Sequence, residues 1–152
     1  DDNILKIVNK AGNATTNMHA NAVKMIQKSG MQAKIYIITG LPGETEESIN
    51  AIKRFVIDLK PDKWIVSLFT PYPGTPIFNN PEFFGVEILH KRWNEYHASQ
   101  PAVSNVNIKG ATHDVLEKRF NDLIGWLGKH DKESFERGLS DVPVHFDYSP
   151  MY

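Results

Sequence analysis

Hydrophobic positions change period several times along this chain, and each change marks an element. Ile35-Tyr36-Ile37-Ile38 is an unbroken apolar, aromatic and β-branched run, the pattern of a strand covered on both faces. Gly40-Leu41-Pro42-Gly43 breaks it. Ile49, Ile52, Val56 and Leu59 then recur at helical spacing. Thr45 is placed to cap that helix, Glu46 and Glu47 suit its positive N-terminus, and Pro61 stops it. Trp64 to Phe69 is a second buried run. Strands over 33–39 and 63–69, joined by a helix over 46–59, predict a right-handed parallel βαβ unit. Its exit is Thr70-Pro71-Tyr72-Pro73-Gly74-Thr75-Pro76, whose prolines cannot continue a ladder and whose Pro73-Gly74 suits the centre of a type II turn. A stiff loop at the C-terminal end of a parallel strand lies on the edge where α/β sheets and barrels build their sites.

The flanking pattern is mostly helical. Ile4, Leu5 and Val8 predict a short amphipathic helix that ends near Gly12. Thr15 or Thr16 caps a second helix over 16–29, with Met18, Ala22, Met25 and Ile26 as its inner face and Gly30 at its end. Ile88, Leu89, Arg92, Trp93 and Tyr96 suggest a short helix, and Val103 to Ile108 an extended segment or short edge strand. Thr112 caps a helix over 112–127, with Leu116, Phe120, Leu123, Ile124 and Leu127 as its stripe and Gly128 just past its end. Residues 129–152 are charged and then broken by proline, with aromatics at Phe146, Tyr148 and Tyr152, as in a tail that wraps a domain or is partly ordered.

Composition narrows the function classes. The chain has 152 residues, enough for a real core. Its formal net charge of −1 gives no electrostatic case for nucleic acid or an anionic membrane. No apolar run approaches the roughly 20 residues of a membrane span and no secretory signal is visible, so a cytoplasmic protein is expected. The chain contains no cysteine, which excludes disulfides and thiolate metal sites.

Gly40-Leu41-Pro42-Gly43-Glu44-Thr45, then a helix, a strand and Pro71-Tyr72-Pro73-Gly74-Thr75-Pro76, resembles the radical S-adenosylmethionine (radical SAM) superfamily. In that superfamily these segments are the fifth and sixth strands of a partial (β/α) barrel with their exit loops. The resemblance covers roughly residues 1–80. It implies an α/β fold: a partial (β/α) barrel fragment with parallel strands and amphipathic helices, followed over 81–152 by a C-terminal helical extension and tail. It also implies S-adenosylmethionine and a 4Fe–4S cluster in the full-length protein, the cluster held by three cysteines after the first strand. Those cysteines and the first strands are not in this sequence, and a standard eight-stranded barrel takes about 250 residues. The chain therefore reads as the C-terminal portion of a radical SAM protein, cut after its cluster-binding half, with no cofactor expected in this chain alone. Trp93 and Tyr96, then Pro101 and a Thr-capped helix, are similar to the cobalamin-binding branch.

By the resemblance, Ile38 and Gly40 lie where the fifth strand meets adenosine, and Phe69, Pro71 and Tyr72 where main chain after the sixth strand meets adenine. Apolar packing and backbone hydrogen bonds are the contacts expected there. Tyr72 either stacks on a base or caps the barrel rim. Gly40 and Gly43 permit close approach of a ligand, although any tight strand-to-helix turn uses glycines too. The loop is no phosphate cradle, because it lacks a Gly-Lys-Ser/Thr ending and Glu44 would repel phosphate. The histidines (His19, His90, His97, His113, His130, His145) lack tight metal spacing, and no catalytic or metal-ligating residue is assigned.

Two functions follow. In the first, the full-length enzyme cleaves S-adenosylmethionine reductively, and this portion forms part of the pocket wall and substrate cavity and is inactive alone. The alternative is a non-catalytic α/β binding or interaction module that kept the scaffold. The expected partners are the missing N-terminal half of the barrel and, in isolation, a second copy of the chain, because strands built for burial would be left with an open edge.

Overall fold

A computed structural model describes residues 1–8, 14–92 and 103–135, the last five by their backbone alone. The elements in chain order are α1 (Asp2–Ile7), α2 (Thr16–Lys28), β1 (Lys34–Thr39), α3 (Glu46–Leu59), β2 (Lys63–Leu68), α4 (Pro76–Asn79), a 3₁₀ turn (Pro81–Phe84), β3 (Val86–Ile88), β4 (Val106–Ile108) and α5 (His113–Phe135). Gly12, the Trp93–Tyr96 pattern, Pro101 and the tail beyond Phe135 lie outside the described residues.

The βαβ unit forms as its pattern predicts. Strands β1 and β2 are parallel, in register from Lys34 opposite Lys63 to Thr39 opposite Leu68. Helix α3 opens with a capping box: the Thr45 hydroxyl accepts the Ser48 N–H, and the Ser48 hydroxyl accepts the Thr45 N–H. It closes on Lys60, which takes a left-handed conformation (φ 48°) just before Pro61. In the exit loop the Thr75 N–H donates to the Tyr72 carbonyl, and Gly74 at φ 82° supplies the positive angle of a type II turn.

Most of the core lies on one side of that sheet. Leu116, Phe120, Leu123 and Leu127 of α5 are fully buried against Val56, Val66, Leu68 and the small sheet's Val86, Val106 and Ile108. Ile35, Ile37 and Trp64 join them from the same sheet face. A smaller cluster of Val23, Ala33 and Leu59 seats α2.

Four expectations need correction. The strand over 33–39 is covered on one face only: Tyr36 (71% exposed) and Ile38 (45%) point away from the core, and β1 is paired with β2 alone among the described residues. The inner face of α2 is Ala20 and Val23, whereas Met18, Met25 and Ile26 are exposed, because the apolar stripe nearest Leu59 wins the burial. The helix suggested from Ile88 onward starts instead as β3, which pairs antiparallel with β4 and buries Val86; Leu89 N–H extends the ladder to the Asn105 carbonyl. Gly128 does not end α5, which continues to Phe135. A helix-interior glycine costs only about 1 kcal/mol relative to alanine, and no proline lies between Gly128 and Phe135 to stop the helix. Trp126, stacked on His130 with Lys53 over its ring, supports the added turn.

Candidate functional site

Both exit loops of the parallel unit leave the same end of the sheet, as parallel pairing requires. The Phe69 N–H extends the ladder by donating to the Thr39 carbonyl at 2.7 Å, which brings the start of the second loop against the first. A Cβ on Gly40 (φ 78°) would stand 3.1 Å from Leu68 Cδ1 and 3.7 Å from Phe69, so the absent side chain is what lets the two loops close up. At Gly43 (φ 84°) a Cβ would meet Ile7 Cδ1 at 2.9 Å, so this glycine makes room for α1.

A cavity of about 270 Å³ opens beside the β2 exit. Its walls are Ile7 and Val8 at the C-terminal end of α1, Phe69 to Tyr72 on the loop, Thr75 to Ile77 at the start of α4, and Phe84. The lining is mostly apolar, its polar groups being the Thr70 and Thr75 hydroxyls, the Tyr72 phenol and main-chain groups. A flat apolar ligand with a few polar edges matches such walls.

The structure brings together three of the five candidate residues. Phe69, Pro71 and Tyr72 line the cavity, Pro71 buried and Tyr72 half exposed. Gly40 adjoins Phe69 from the neighbouring loop without lining the cavity. Ile38 stands apart on the open sheet face, beside its register partner Ser67.

The least expected feature is Glu44. Its residue is 5% exposed, and its Oε2 accepts the Gly40 N–H at 2.6 Å. Burial pushes its carboxyl up from 4.5 to about 7, opposed by the Gly40 hydrogen bond and the positive charge of Arg119, and aided slightly by Glu46. Arg119 of α5 approaches from the other side, Nη1 3.8 Å from Glu44 Oε1 and Nε 3.4 Å from Glu46 Oε2. At those lengths the contacts are electrostatic, and Glu44 Oε1, Arg119 Nε and Arg119 Nη1 have no hydrogen-bond partner among the described residues.

Sequence reasoning read Glu44 as part of the loop motif and as a group hostile to phosphate, and gave no site role to Arg119, Ile7, Val8 or Phe84. The strand–loop–helix pattern fixes where Glu44 falls in the chain but not that it turns inward. Nothing in the one-dimensional pattern joins residue 44 to residue 119.

No group of three or more His, Cys, Asp and Glu side chains among the described residues could hold a metal ion. An iron–sulfur cluster does not fit this chain, which offers no thiolate. No described helix is long and apolar enough to cross a membrane.

No family model and no solved structure matches the chain. Among curated proteins it is similar to bacteriochlorophyllide d C-12(1)-methyltransferase of Chlorobaculum tepidum, 32% identical over 93 residues, 61% of this chain and 20% of that protein. It is also similar to ribosomal protein uS12 methylthiotransferase RimO of Thermotoga sp. (strain RQ2), 38% identical over 69 residues, 45% of this chain and 16% of that protein. A third relative is tRNA-2-methylthio-N(6)-dimethylallyladenosine synthase of Delftia acidovorans, 32% identical over 94 residues, 62% of this chain and 20% of that protein. The chain spans about a fifth of the length of these relatives.

Proposed function

We propose, from the premise that this chain is a homologue of radical SAM proteins, that residues 33–76 form one wall of an S-adenosylmethionine pocket. The observation that carries the reading is the cavity at the β2 exit, walled by Phe69, Pro71 and Tyr72, next to the Gly40 loop at the same sheet end. Phe69 and Pro71 would pack on the adenine, with Tyr72 stacked on it or closing the rim. Main-chain groups after β2 would meet its polar edges. Gly40 and Ile38 would face the rest of the nucleoside from β1.

S-adenosylmethionine and a 4Fe–4S cluster supply the radical chemistry of full-length relatives. In this proposal the cluster sits on a preceding part of a longer cytoplasmic protein, and this chain contributes binding surface and no catalytic residue. Strands of that preceding part would pair with the edge of β1 that is open among the described residues, beside the exposed Tyr36. Exposed Met18, Met25 and Met31 belong to the segment leading into the same strand. An apolar surface of this kind suits a neighbouring layer of structure better than solvent.

Titration calorimetry with S-adenosylmethionine tests the reading. With only part of the wall present, binding weaker than micromolar is expected, and Tyr72→Ala should weaken it further. Saturation-transfer NMR should place the adenine protons nearest the protein. Enhancement confined to the methionine end, or no saturation transfer at millimolar ligand, would refute the pocket assignment.

A further inference from the structure

Glu44 lies in the first exit loop, yet the loop satisfies only half of it. Oε2 accepts the Gly40 N–H at 2.6 Å, within the short range of charge-assisted bonds. Oε1 faces Arg119, which belongs to α5. The Glu44 side chain is 2% exposed and that of Arg119 15%, so neither charge is solvated enough to be indifferent to the other. Arg119 is itself held from behind: its neighbours Leu116, Phe120 and Leu123 are fully buried, so the core sets the position of α5 independently of the loop.

We propose that Arg119 is a positioning residue for the 40–45 loop: it draws Glu44 into the orientation in which Oε2 takes the Gly40 amide, so that the C-terminal helix sets the geometry of the ligand loop. That this is a ligand loop rests on the function proposed above; the mechanical link from α5 to Gly40 does not. The charged groups facing Glu44 are Arg119 from α5 and Glu46 from the first turn of α3. Lys118, on the exposed side of α5, acts on Glu46 and pairs with Asp122. Glu46 competes for Arg119, and being exposed it competes weakly.

Backbone and arginine guanidinium NMR on the whole chain, recorded from pH 5 to 9, gives the test. In the wild type the Gly40 amide proton and the Arg119 Nη1 protons, which face Glu44 Oε1, should titrate together, with one midpoint near 7. Glu44→Gln should abolish both titrations. Arg119→Gln should raise the Gly40 midpoint by roughly one unit or more, since an opposite charge at this range lowers a carboxyl pKa by about that much. Arg119→Lys should restore most of the difference, because it keeps the charge. A merely structural arginine would change stability and leave the Gly40 midpoint in place. A folded Arg119→Gln protein with an unchanged midpoint overturns the proposal. So do different midpoints for the two wild-type probes, and that comparison decides alone if Arg119→Gln does not fold. Neither readout needs ligand, so a failure to bind S-adenosylmethionine would refute the proposed function and leave this inference standing.

Discussion

Replacing Gly40 with alanine separates two reasons for a glycine at this turn. Gly40 sits at φ 78°, and a left-handed conformation costs an L-residue about 1–2 kcal/mol. The new Cβ would also stand 3.1 Å from Leu68 Cδ1. Leu68 is buried to 1% exposure, so its methyl cannot swing into solvent, and overpacking of this kind adds about 1–2 kcal/mol. The expected loss is about 2–4 kcal/mol, a large fraction of the roughly 5–15 kcal/mol that stabilises a typical domain. Gly30→Ala is the internal control. Gly30 has nearly the same angle, φ 80°, with no atom within 4 Å of the built Cβ, so it should lose only the conformational part, about 1–2 kcal/mol. Urea unfolding followed by circular dichroism reads both, with an unchanged m-value as the condition for comparing midpoints. Equal losses for the two variants would refute the packing argument. A Gly40→Ala loss below about 0.5 kcal/mol would refute the turn geometry as well.

Stability should also depend on pH through Glu44. Its folded pKa of about 7 lies above the ordinary 4.5, so the folded state takes up the proton first. The stabilisation is complete below 4.5 and is lost as pH rises through 7, with on the order of 3 kcal/mol as its ceiling. Urea midpoints should fall between pH 5 and 8 in the wild type and stay level in Glu44→Gln; a wild-type midpoint that rises over this range contradicts the sign. Anaerobic reconstitution with iron and sulfide should leave the chain colourless, because it supplies no thiolate; stoichiometric iron with visible absorption would contradict this. Light scattering at micromolar concentration should report a dimer or higher assembly, since among the described residues β1 has an unpaired edge beside the exposed Tyr36 and Ile38. A monodisperse monomer would contradict this.

How much was legible in the sequence depends on how local the cause is. The boundaries of α3 were readable because Thr45 and Pro61 act within a turn of the residues they cap or stop. The parallel pairing of β1 and β2 was readable because a crossover containing a helix leaves few other topologies. The βαβ unit and its two exit loops therefore came from the chain alone, and with them the neighbourhood of Phe69, Pro71 and Tyr72. Tertiary structure decided everything that depended on competition between surfaces. Met18 and Met25 have the spacing of an inner face, but Ala20 and Val23 are the residues turned toward Leu59. Val86 and Ile88 could start a helix or a strand, and pairing with Val106 and Ile108 settles the choice. Ile38 was a buried-strand residue by pattern and is exposed, because the core has only one sheet face to fill. Glu44 and Arg119 needed the fold most of all: each looks like an ordinary surface charge in its own segment. Only the packing of α5 across the sheet brings the guanidinium to within 3.8 Å of the carboxylate and removes both from water.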